Sequence, residues 1–586
     1  MNIQAESKKF LIIGYIIIIV FLSLILRLWQ LQILQGNEYR KLSEANRLRI
    51  VNIAAPRGII FDRNGVPLVK NSPYYFASVI PDEFDPGKIH LLSKILNVPQ
   101  EEIIEKLNKP GLSPFIPVQL KQGLSFTDIA YIEARRSDLP GLIIETEITR
   151  EYIHEDIGSH LIGYLGKLTP AQSADPAFKD INPDTFIGQW GVEKLFDHSL
   201  RGTPGKRIIE VNALGREIRL LQENPPIRGQ DITLSMDINL QREAEKAFGE
   251  RAGALVATKP DTGEILAMVS RPSFDPNLFT RGISSEKWLA ILRDKKNPML
   301  NRTFQSQYPP GSTFKIITAI AGLEEGVITP DTKVECKGGI NYGTWRFGCW
   351  RKSGHGTLSL HRALVESCDI FFYETGKRLG IDRIFRYATV FGLGEKTGIP
   401  LGHEKQGLIP NTQWKLEKRK QPWFLGETFN AAIGQGYVAT TPLQLALMTG
   451  MVANGGTLYK PLLLKDVQPI IAGKITLKPG TLSAVKSGLL GVVSESSGTG
   501  WAAQSSLAAI AGKTGTAQVI TQKSGVQPSK ERFQDHAWFV AFAPVEKPLI
   551  ALSVLVEHGG HGGGAAAPIA KIAIEEYLKS VQSLDQ

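Results

Sequence analysis

From Phe10 to Leu26 the chain carries no charged residue, and the run Phe-Leu-Ile-Ile-Gly-Tyr-Ile-Ile-Ile-Ile-Val-Phe-Leu-Ser-Leu-Ile-Leu is just long enough to cross a bilayer. A cleaved signal peptide is the alternative, but Arg27-Leu-Trp-Gln-Leu-Gln stands where a small-x-small cleavage site would fall. The pattern predicts a retained transmembrane helix over 10–28 behind a short tail, 1–9. Leu28, Leu31, Leu34, Tyr39 and Leu42 continue at helical spacing, so the anchor is expected to extend as a stalk towards Ile50.

The period then shortens. Ile59-Ile-Phe61 and Val66-Pro-Leu-Val69 flank Asp62-Arg-Asn-Gly65, and an Asn-Gly pair between apolar runs predicts a hairpin because both residues tolerate positive φ. From Pro81 onward polar helices alternate with short strands, with no nucleophile and base paired among them; this reads as a head or pedestal. Strand patterns at Arg207-Ile-Ile-Glu-Val211 and Asp231-Ile-Thr-Leu-Ser235 lead into a helix after Met236-Asp-Ile-Asn-Leu-Gln241. A boundary is therefore expected near 240, dividing a non-catalytic region, 29–240, from a C-terminal domain, 241–586.

That domain opens with a hairpin pattern, Ala254-Leu-Val-Ala-Thr258 and Glu264-Ile-Leu-Ala-Met-Val269 around Lys259-Pro-Asp-Thr-Gly263. It closes with Ala537-Trp-Phe-Val-Ala-Phe542 and Leu549-Ile-Ala-Leu-Ser-Val-Leu-Val556, apolar almost without a break, as in a sheet covered on both faces. A last helical stretch, Pro568 to Leu578, would cover one face. Helical segments rich in Ala, Leu and Ile lie between, including Thr440-Thr-Pro-Leu-Gln-Leu-Ala-Leu447, where Thr440 or Thr441 caps and Pro442 suits the first turn. The expected fold class is α/β in the broad, multidomain α+β sense: a membrane helix, a mixed pedestal, and a mixed sheet with an inserted helical subdomain.

Composition changes this picture little. A chain of 586 residues has room for two or three domains. The formal charge of +10 comes without a basic cluster interleaved with aromatics, which argues against nucleic acid and suits anionic surfaces or substrates outside the cytoplasm. Lys8 and Lys9 precede the apolar run while Arg27, Arg40, Lys41 and Arg47 follow it, so charge alone does not orient the anchor.

The candidate chemistry centres on Tyr308-Pro-Pro-Gly-Ser-Thr-Phe-Lys315, a breaker cluster opening into the apolar run Phe314 to Leu323. The prolines and glycine hold the entry extended, so a helix is expected to begin at or next to Ser312, with Ser312 and Lys315 on one face. A serine hydroxyl needs a base within reach. The positive end of a helix and apolar neighbours both disfavour a charged lysine, which would let Lys315 serve. Spacing alone is weak: Ser284-Ser-Glu-Lys287 and Ser483-Ala-Val-Lys486 also fit Ser-x-x-Lys and read as surface helix starts. Two further motifs follow in order. Ser367-Cys-Asp369 offers a second hydroxyl, and Lys513-Thr-Gly-Thr516, after the strand-like Leu507-Ala-Ala-Ile-Ala-Gly512, offers a cationic strand edge for an anionic substrate. Another copy, Lys396-Thr-Gly398, sits in a glycine-rich stretch and reads as a loop.

These ordered motifs resemble those of the penicillin-recognising serine acyltransferases. Arg57-Gly-Ile-Ile-Phe-Asp-Arg-Asn-Gly65 and Gly188-Gln-Trp-Gly-Val-Glu-Lys194 are similar to signatures of the non-catalytic region of class B penicillin-binding proteins, and the resemblance runs from Arg57 to Leu578. It implies a peptidoglycan D,D-transpeptidase in which Ser312 attacks the penultimate D-alanine of a stem peptide, Lys315 takes its proton and Ser367 relays a proton to the leaving amine. Lys513 would supply cationic potential, Thr514 and Thr516 would bind the substrate carboxylate beside Gly515, and the amides of Ser312 and Thr516 would form the oxyanion hole. Asp369 departs from the commoner asparagine. An ionised aspartate accepts hydrogen bonds only and would hold Lys315 charged before substrate arrives; Ser-x-Asp resembles the elongation-type penicillin-binding protein 2 branch.

Nothing like a glycosyltransferase domain precedes the pedestal, so the resemblance implies work beside a SEDS-type glycosyltransferase and elongation-complex scaffold proteins, with covalent inhibition by β-lactams. It also implies a single-pass inner-membrane protein whose catalytic domain faces outward, and chemistry without a cofactor. A D,D-carboxypeptidase using water as acceptor, or a β-lactam-hydrolysing or sensing homologue, would use the same residues.

The three cysteines, Cys336, Cys349 and Cys368, fall in one stretch with His355. Three thiolates and an imidazole would make a closed structural zinc site, although Cys336-x12-Cys349-x5-His355-x12-Cys368 is not a zinc-finger spacing. Glycine-rich connections would let the segment fold back around an ion. The alternative is a disulfide between Cys336 and Cys349 with Cys368 buried.

Overall fold

The N-terminal apolar run forms one helix, α1 (Ile3–Trp29), and a π-helical turn, Gln30–Leu34, carries the apolar surface onward. Phe10–Leu34 contains an 18-residue stretch of mean hydropathy 2.8 with none of it buried, and among the described residues it is the one stretch long and apolar enough to cross a membrane. The computed structural model describes residues 3–112, 114–179, 181, 185–212, 217–280, 282–518 and 534–584; the side chains of Lys8, Lys9 and Leu42 lie outside the description. The expected stalk is a separate helix, Gly36–Arg47, which gives way to a strand at Leu48.

The chain divides into two compact units that do not follow a single cut: 1–57 with 71–149 and 201–229, and 58–70 with 150–200 and 230–586. In the first, an antiparallel sheet of Leu48–Ile53, Gly205–Val211 and Glu217–Asn224 leaves its last strand exposed throughout. Short helices, Ile89–Leu96, Gln100–Leu107 and Phe126–Glu133, bury Leu92, Leu96, Ile103 and Ile132 in a core with Val79, Leu120 and Leu142.

In the second unit the Asn-Gly hairpin forms as its sequence predicts. Asp62 Oδ1 accepts the N–H groups of Asn64 and Val66, each at 2.8 Å, which closes the turn, and Ile60 pairs with Val69. In the Gly188–Lys194 signature, Glu193 forms a fully buried ion pair with Arg150 at 2.7 Å.

The helix expected after Met236 is α2 (Ile238–Phe248), capped by Asp237 Oδ1, which accepts the N–H groups of Asn239 and Leu240. Strands β1 (Gly253–Thr258) and β2 (Ile265–Arg271) follow as a hairpin. The helical subdomain supplies α3 (Lys315–Glu324), α4 (Leu360–Val365), α5 (Asp369–Leu379), α6 (Pro442–Ala453) and α7 (Thr481–Ser494). Then come β3 (Ala511–Ala517), β4 (His536–Ala543), β5 (Ile550–Val556) and α8 (Ala567–Leu584). The sheet order is β2-β1-β5-β4-β3. Where a mixed sheet is expected, all of these pairings are antiparallel, because β1–β2 and β4–β5 are joined by tight connections and β3 enters beside β4 in the opposite sense. The multidomain α+β architecture stands.

Period-2 alternation sorts the apolar strands between two cores. Trp538, Val540 and Phe542 pack on the helical side with Leu445 and Met448 of α6, while Phe539, Ala541 and Ala543 pack with Phe248 of α2 and Ile574 of α8. Every residue of α6 is buried, and its start is a capping box in which Thr441 and Gln444 satisfy each other's backbone N–H. The sheet's free edge on the catalytic side is β3, which begins at Ala511; Leu507 to Ile510 are not strand, so the strand-like stretch is shorter than its apolar pattern suggests.

Candidate active site

A helix begins next to Ser312 as the sequence suggests: a 3₁₀ turn, Gly311–Phe314, that runs into the α-helix at Lys315. Sterics impose that turn. Gly311 has φ +55°, and a Cβ there would lie 2.5 Å from Thr516 O, so only glycine lets the loop press against β3. Its N–H donates to Gly434 O at 3.0 Å, and Thr313 Oγ1 donates to Pro310 O at 2.8 Å. Ser312 is thereby held beside the Thr516 backbone.

Lys315 is fully buried on α3. Its ammonium has three donors. They are directed at Asp369 Oδ1 (2.7 Å), Ser367 O (2.8 Å) and Ser367 Oγ (3.2 Å). Ser367 sits between α4 and α5 at φ +54°, a conformation serine seldom adopts, and this bend turns its carbonyl and hydroxyl towards Lys315 together. Asp369, in the first turn of α5, accepts the Trp350 N–H on Oδ2 at 2.9 Å, and the Trp350 indole N–H donates to Ser367 O at 3.1 Å. The apolar surroundings foreseen around Lys315 are present, but so is the Asp369 carboxylate, and Ser312 is not among the hydrogen-bond partners of the ammonium.

On β3, Lys513 is fully buried and donates to Thr514 O at 3.1 Å. Burial, and then the neighbouring charge of Lys315, push its amine well below the ordinary lysine range. Thr514 Oγ1 lies 2.7 Å from Thr499 Oγ1, and Thr516 O accepts the Gln435 side-chain amide at 3.0 Å. Gly515 faces Trp538 across the ladder, and a Cβ on it would sit 2.9 Å from Pro310 O, so β3 and the Ser312 loop are in direct contact. Ser312, Lys315, Ser367, Asp369 and the Lys513–Thr516 strand are brought together. Trp350, Thr499 and Gln435 have no motif of their own and were not legible.

The other matches stand apart. Ser284 caps a helix, Ser285–Arg293, by accepting the Lys287 N–H, and Thr397 is tied in a loop to Glu404. Ser483 is in the first turn of α7, but Lys486 is half-buried rather than a solvated surface lysine. It donates to Ala453 O at 2.7 Å, and burial lowers its pKa.

The cysteine segment folds back as its glycines suggest. Gly354 has φ +82°, where a Cβ would lie 2.2 Å from Cys336 O, and His355 N–H donates to that same carbonyl. The three cysteines are unpaired thiols, without the alternative disulfide. One ligand atom from each of Cys336, Cys349, His355 and Cys368 lies within 4.8 Å of the others, and all four residues are buried. Cys336 Sγ and Cys349 Sγ are each 3.5 Å from His355 Nδ1. A tetrahedron with Zn–S of about 2.3 Å and Zn–N of about 2.0–2.1 Å has an S···N edge of about 3.5 Å, so the donor set fits that ion. A hydrogen bond with Cys368 pulls the Cys349 thiol down to about 5 and pushes Cys368 up.

An antiparallel sheet whose edge strand carries Lys-Thr-Gly against a Ser-x-x-Lys turn, with a Ser-x-Asp bend alongside, is the arrangement of a penicillin-recognising serine acyltransferase. Residues 253–575 match the penicillin-binding protein transpeptidase domain and residues 52–234 the penicillin-binding protein dimerisation domain; the chain belongs to this family. It is similar to the peptidoglycan D,D-transpeptidase MrdA of Acinetobacter baumannii, with 38% identity over 98% of this chain and 88% of that protein. Its fold is similar to the penicillin-binding protein PBP2 of Helicobacter pylori solved in complex with MreC, with a TM-score of 0.76 and 30% identity over 90% of this chain and 98% of that one. A chain in a peptidoglycan synthase complex that coordinates polymerisation and crosslinking gives a TM-score of 0.75 and 32% identity, over 97% and 98% respectively.

Proposed function

We propose that this chain is an elongation-type peptidoglycan D,D-transpeptidase working through an acyl-enzyme on Ser312. The observation that carries the reading is the junction of the Ser312 turn, the Lys315–Ser367–Asp369 cluster and the β3 edge. Ser312 Oγ bonds to the carbonyl carbon of the penultimate D-alanine, the amide C–N bond breaks, and the terminal D-alanine leaves as an amine that gains a proton. The amine of a second stem then attacks the ester, a new C–N bond forms, the C–O bond breaks, and the Ser312 hydroxyl is regenerated. A β-lactam amide opens by the same first step and leaves a stable ester.

Lys315 becomes a base by passing a proton to the Asp369 carboxylate, and Ser367, bridged to the lysine, relays a proton to the leaving amine. Lys513 adds positive potential when protonated. Thr514, with its hydroxyl set by Thr499, and Thr516 receive the substrate carboxylate alongside Gly515, and the amides of Ser312 and Thr516 stabilise the oxyanion.

Cys336, Cys349, His355 and Cys368 would hold a structural zinc ion, which has no part in the chemistry. Closing that site ties the 336–355 segment to Cys368 and so fixes the bend that carries Ser367 and Asp369.

Residues 10–28 anchor the protein, with 1–9 in the cytoplasm. Residues 29–240 form the non-catalytic pedestal and 241–586 the transpeptidase domain, on the outer face of the membrane. The chain's partners are an elongation-complex scaffold protein and a SEDS-type glycosyltransferase, a reading supported by the Helicobacter protein's complex with MreC and by the synthase complex that coordinates polymerisation and crosslinking. Lipid-linked glycan strands made by a partner polymerase should be converted to cross-linked muropeptides. Trimmed tetrapeptides alone would instead mean that water is the acceptor and the protein a carboxypeptidase.

A further inference from the structure

The turn that presents Ser312 has few backbone tethers of its own. Of the four residues before it, Pro309 and Pro310 have no N–H, which leaves only Tyr308 and Gly311 as backbone donors. Tyr308 exchanges both backbone hydrogen bonds with Thr440, each at 2.9 Å, and Pro309 O accepts the Trp538 indole N–H at 3.0 Å. Tyr308 is also the only residue of the four with a polar side chain. Its ring is buried, edge-on to His536 and Trp538, and its hydroxyl donates to Glu557 Oε1 at 2.7 Å, across 249 residues of sequence.

Glu557 follows directly after β5 and is itself fixed. Its N–H donates to Ala252 O, and Arg302 Nε lies 3.1 Å from the same Oε1 that receives Tyr308. Arg302 is buried, with its other guanidinium nitrogens donating to Asn297 O and Lys296 O. The charges near the Tyr308 hydroxyl are therefore those of Glu557 and Arg302. His536, whose Nδ1 accepts the His558 N–H, is held neutral by burial, its pKa lowered to about 4.

We propose that Tyr308 and Glu557 form a positioning pair for the nucleophile: the Tyr308–Glu557–Arg302 chain locks the Pro309-Pro310-Gly311 turn to the end of β5 and so positions Ser312 beside β3. Gly311 already presses on β3 without room for a Cβ and donates to Gly434 O, and Pro309 O accepts from Trp538, so the C-terminal part of the loop is fixed on the β3 side while this hydrogen bond fixes its Tyr308 end to β5. Without it the Tyr308 end of the turn is held by the Thr440 backbone bonds alone and shifts relative to β5. The substrate still binds to β3, while the attacking oxygen loses its alignment.

This rests on Ser312 being the acylated residue, which peptide mapping of the benzylpenicillin adduct on the unaltered protein tests first and separately. Stopped-flow acylation of the full-length protein in detergent then compares wild type with Tyr308→Phe, which keeps the ring and its packing. The acylation rate constant at saturation should fall at least about tenfold while the dissociation constant of the preceding complex stays within about twofold, as expected for misalignment rather than lost binding. Glu557→Gln, whose amide oxygen still accepts from Tyr308, should keep most of the rate. Tyr308→Phe combined with Glu557→Ala should be no slower than Glu557→Ala alone. A wild-type rate constant in Tyr308→Phe, additive losses in the double variant, or a loss confined to binding would each overturn the proposal. If Tyr308→Phe does not fold, a Glu557→Gln rate as low as that of Glu557→Ala would do the same.

Discussion

Asp369 Oδ1 lies 2.7 Å from Lys315 Nζ, with the lysine fully buried and the carboxylate mostly so. A buried ion pair of this kind contributes little net stability, but losing one partner is costly because the other is left charged and unpaired. Asp369→Asn takes away the carboxylate that Lys315 is hydrogen-bonded to and that receives its proton in the proposed mechanism, so acylation by benzylpenicillin should slow by at least about tenfold. The melting temperature should fall at the same time, by a few degrees for a loss of about 1–2 kcal/mol. A wild-type acylation rate in Asp369→Asn would mean that the carboxylate has no part in activating Lys315.

Glu245 of α2 gives a pH effect on stability that does not involve the active site. Its Oε1 accepts from Gly158 N and Gln241 Nε2, each at 2.8 Å, but burial outweighs these bonds and pushes its carboxyl from the usual 4.5 to about 7. Between those values the folded protein binds a proton that the unfolded chain has released, so stability falls as pH rises from about 4.5 to about 7. Glu245→Gln cannot ionise. Its melting temperature relative to wild type should therefore climb across this interval and level off above it, and a difference that is flat from pH 4.5 to 7.5 would contradict this.

The cysteine cluster predicts a metal dependence. Protein purified without chelator should carry one zinc per chain, and its removal should lower the melting temperature by about 5 °C or more, since an ion that binds only the folded state stabilises it. Acylation should slow as well, because Cys368 sits between Ser367 and Asp369. His355→Ala should reproduce both effects. Metal-free protein of unchanged stability would end the zinc reading.

What the sequence made legible was local. The Ser-x-x-Lys turn, the threonine cap of α6 (Thr441 of the two offered), the Asn-Gly hairpin and the doubly buried strands β4 and β5 all rest on spacings within a few residues, and the structure has each of them. The relationships that complete the site are long-range. Thr499 meets Thr514 and Gln435 meets Thr516 across chain separations that no periodicity encodes, and Glu557 reaches Tyr308 from the far end of the domain. Strand direction was missed for a related reason: an apolar strand covered on both faces reads the same in a parallel or an antiparallel sheet. The helix begins next to Ser312 as its spacing suggests, but that its first turn is 3₁₀ and packs Gly311 on Thr516 is a tertiary feature no local spacing encodes.

The most direct test of the central claim is the intact mass of the protein after incubation with benzylpenicillin, followed by peptide mapping. One stable adduct should appear, on the peptide containing Tyr308 to Lys315, and it should vanish in Ser312→Ala while persisting in Ser284→Ala and Ser483→Ala. A covalent adduct that survives Ser312→Ala would contradict the account.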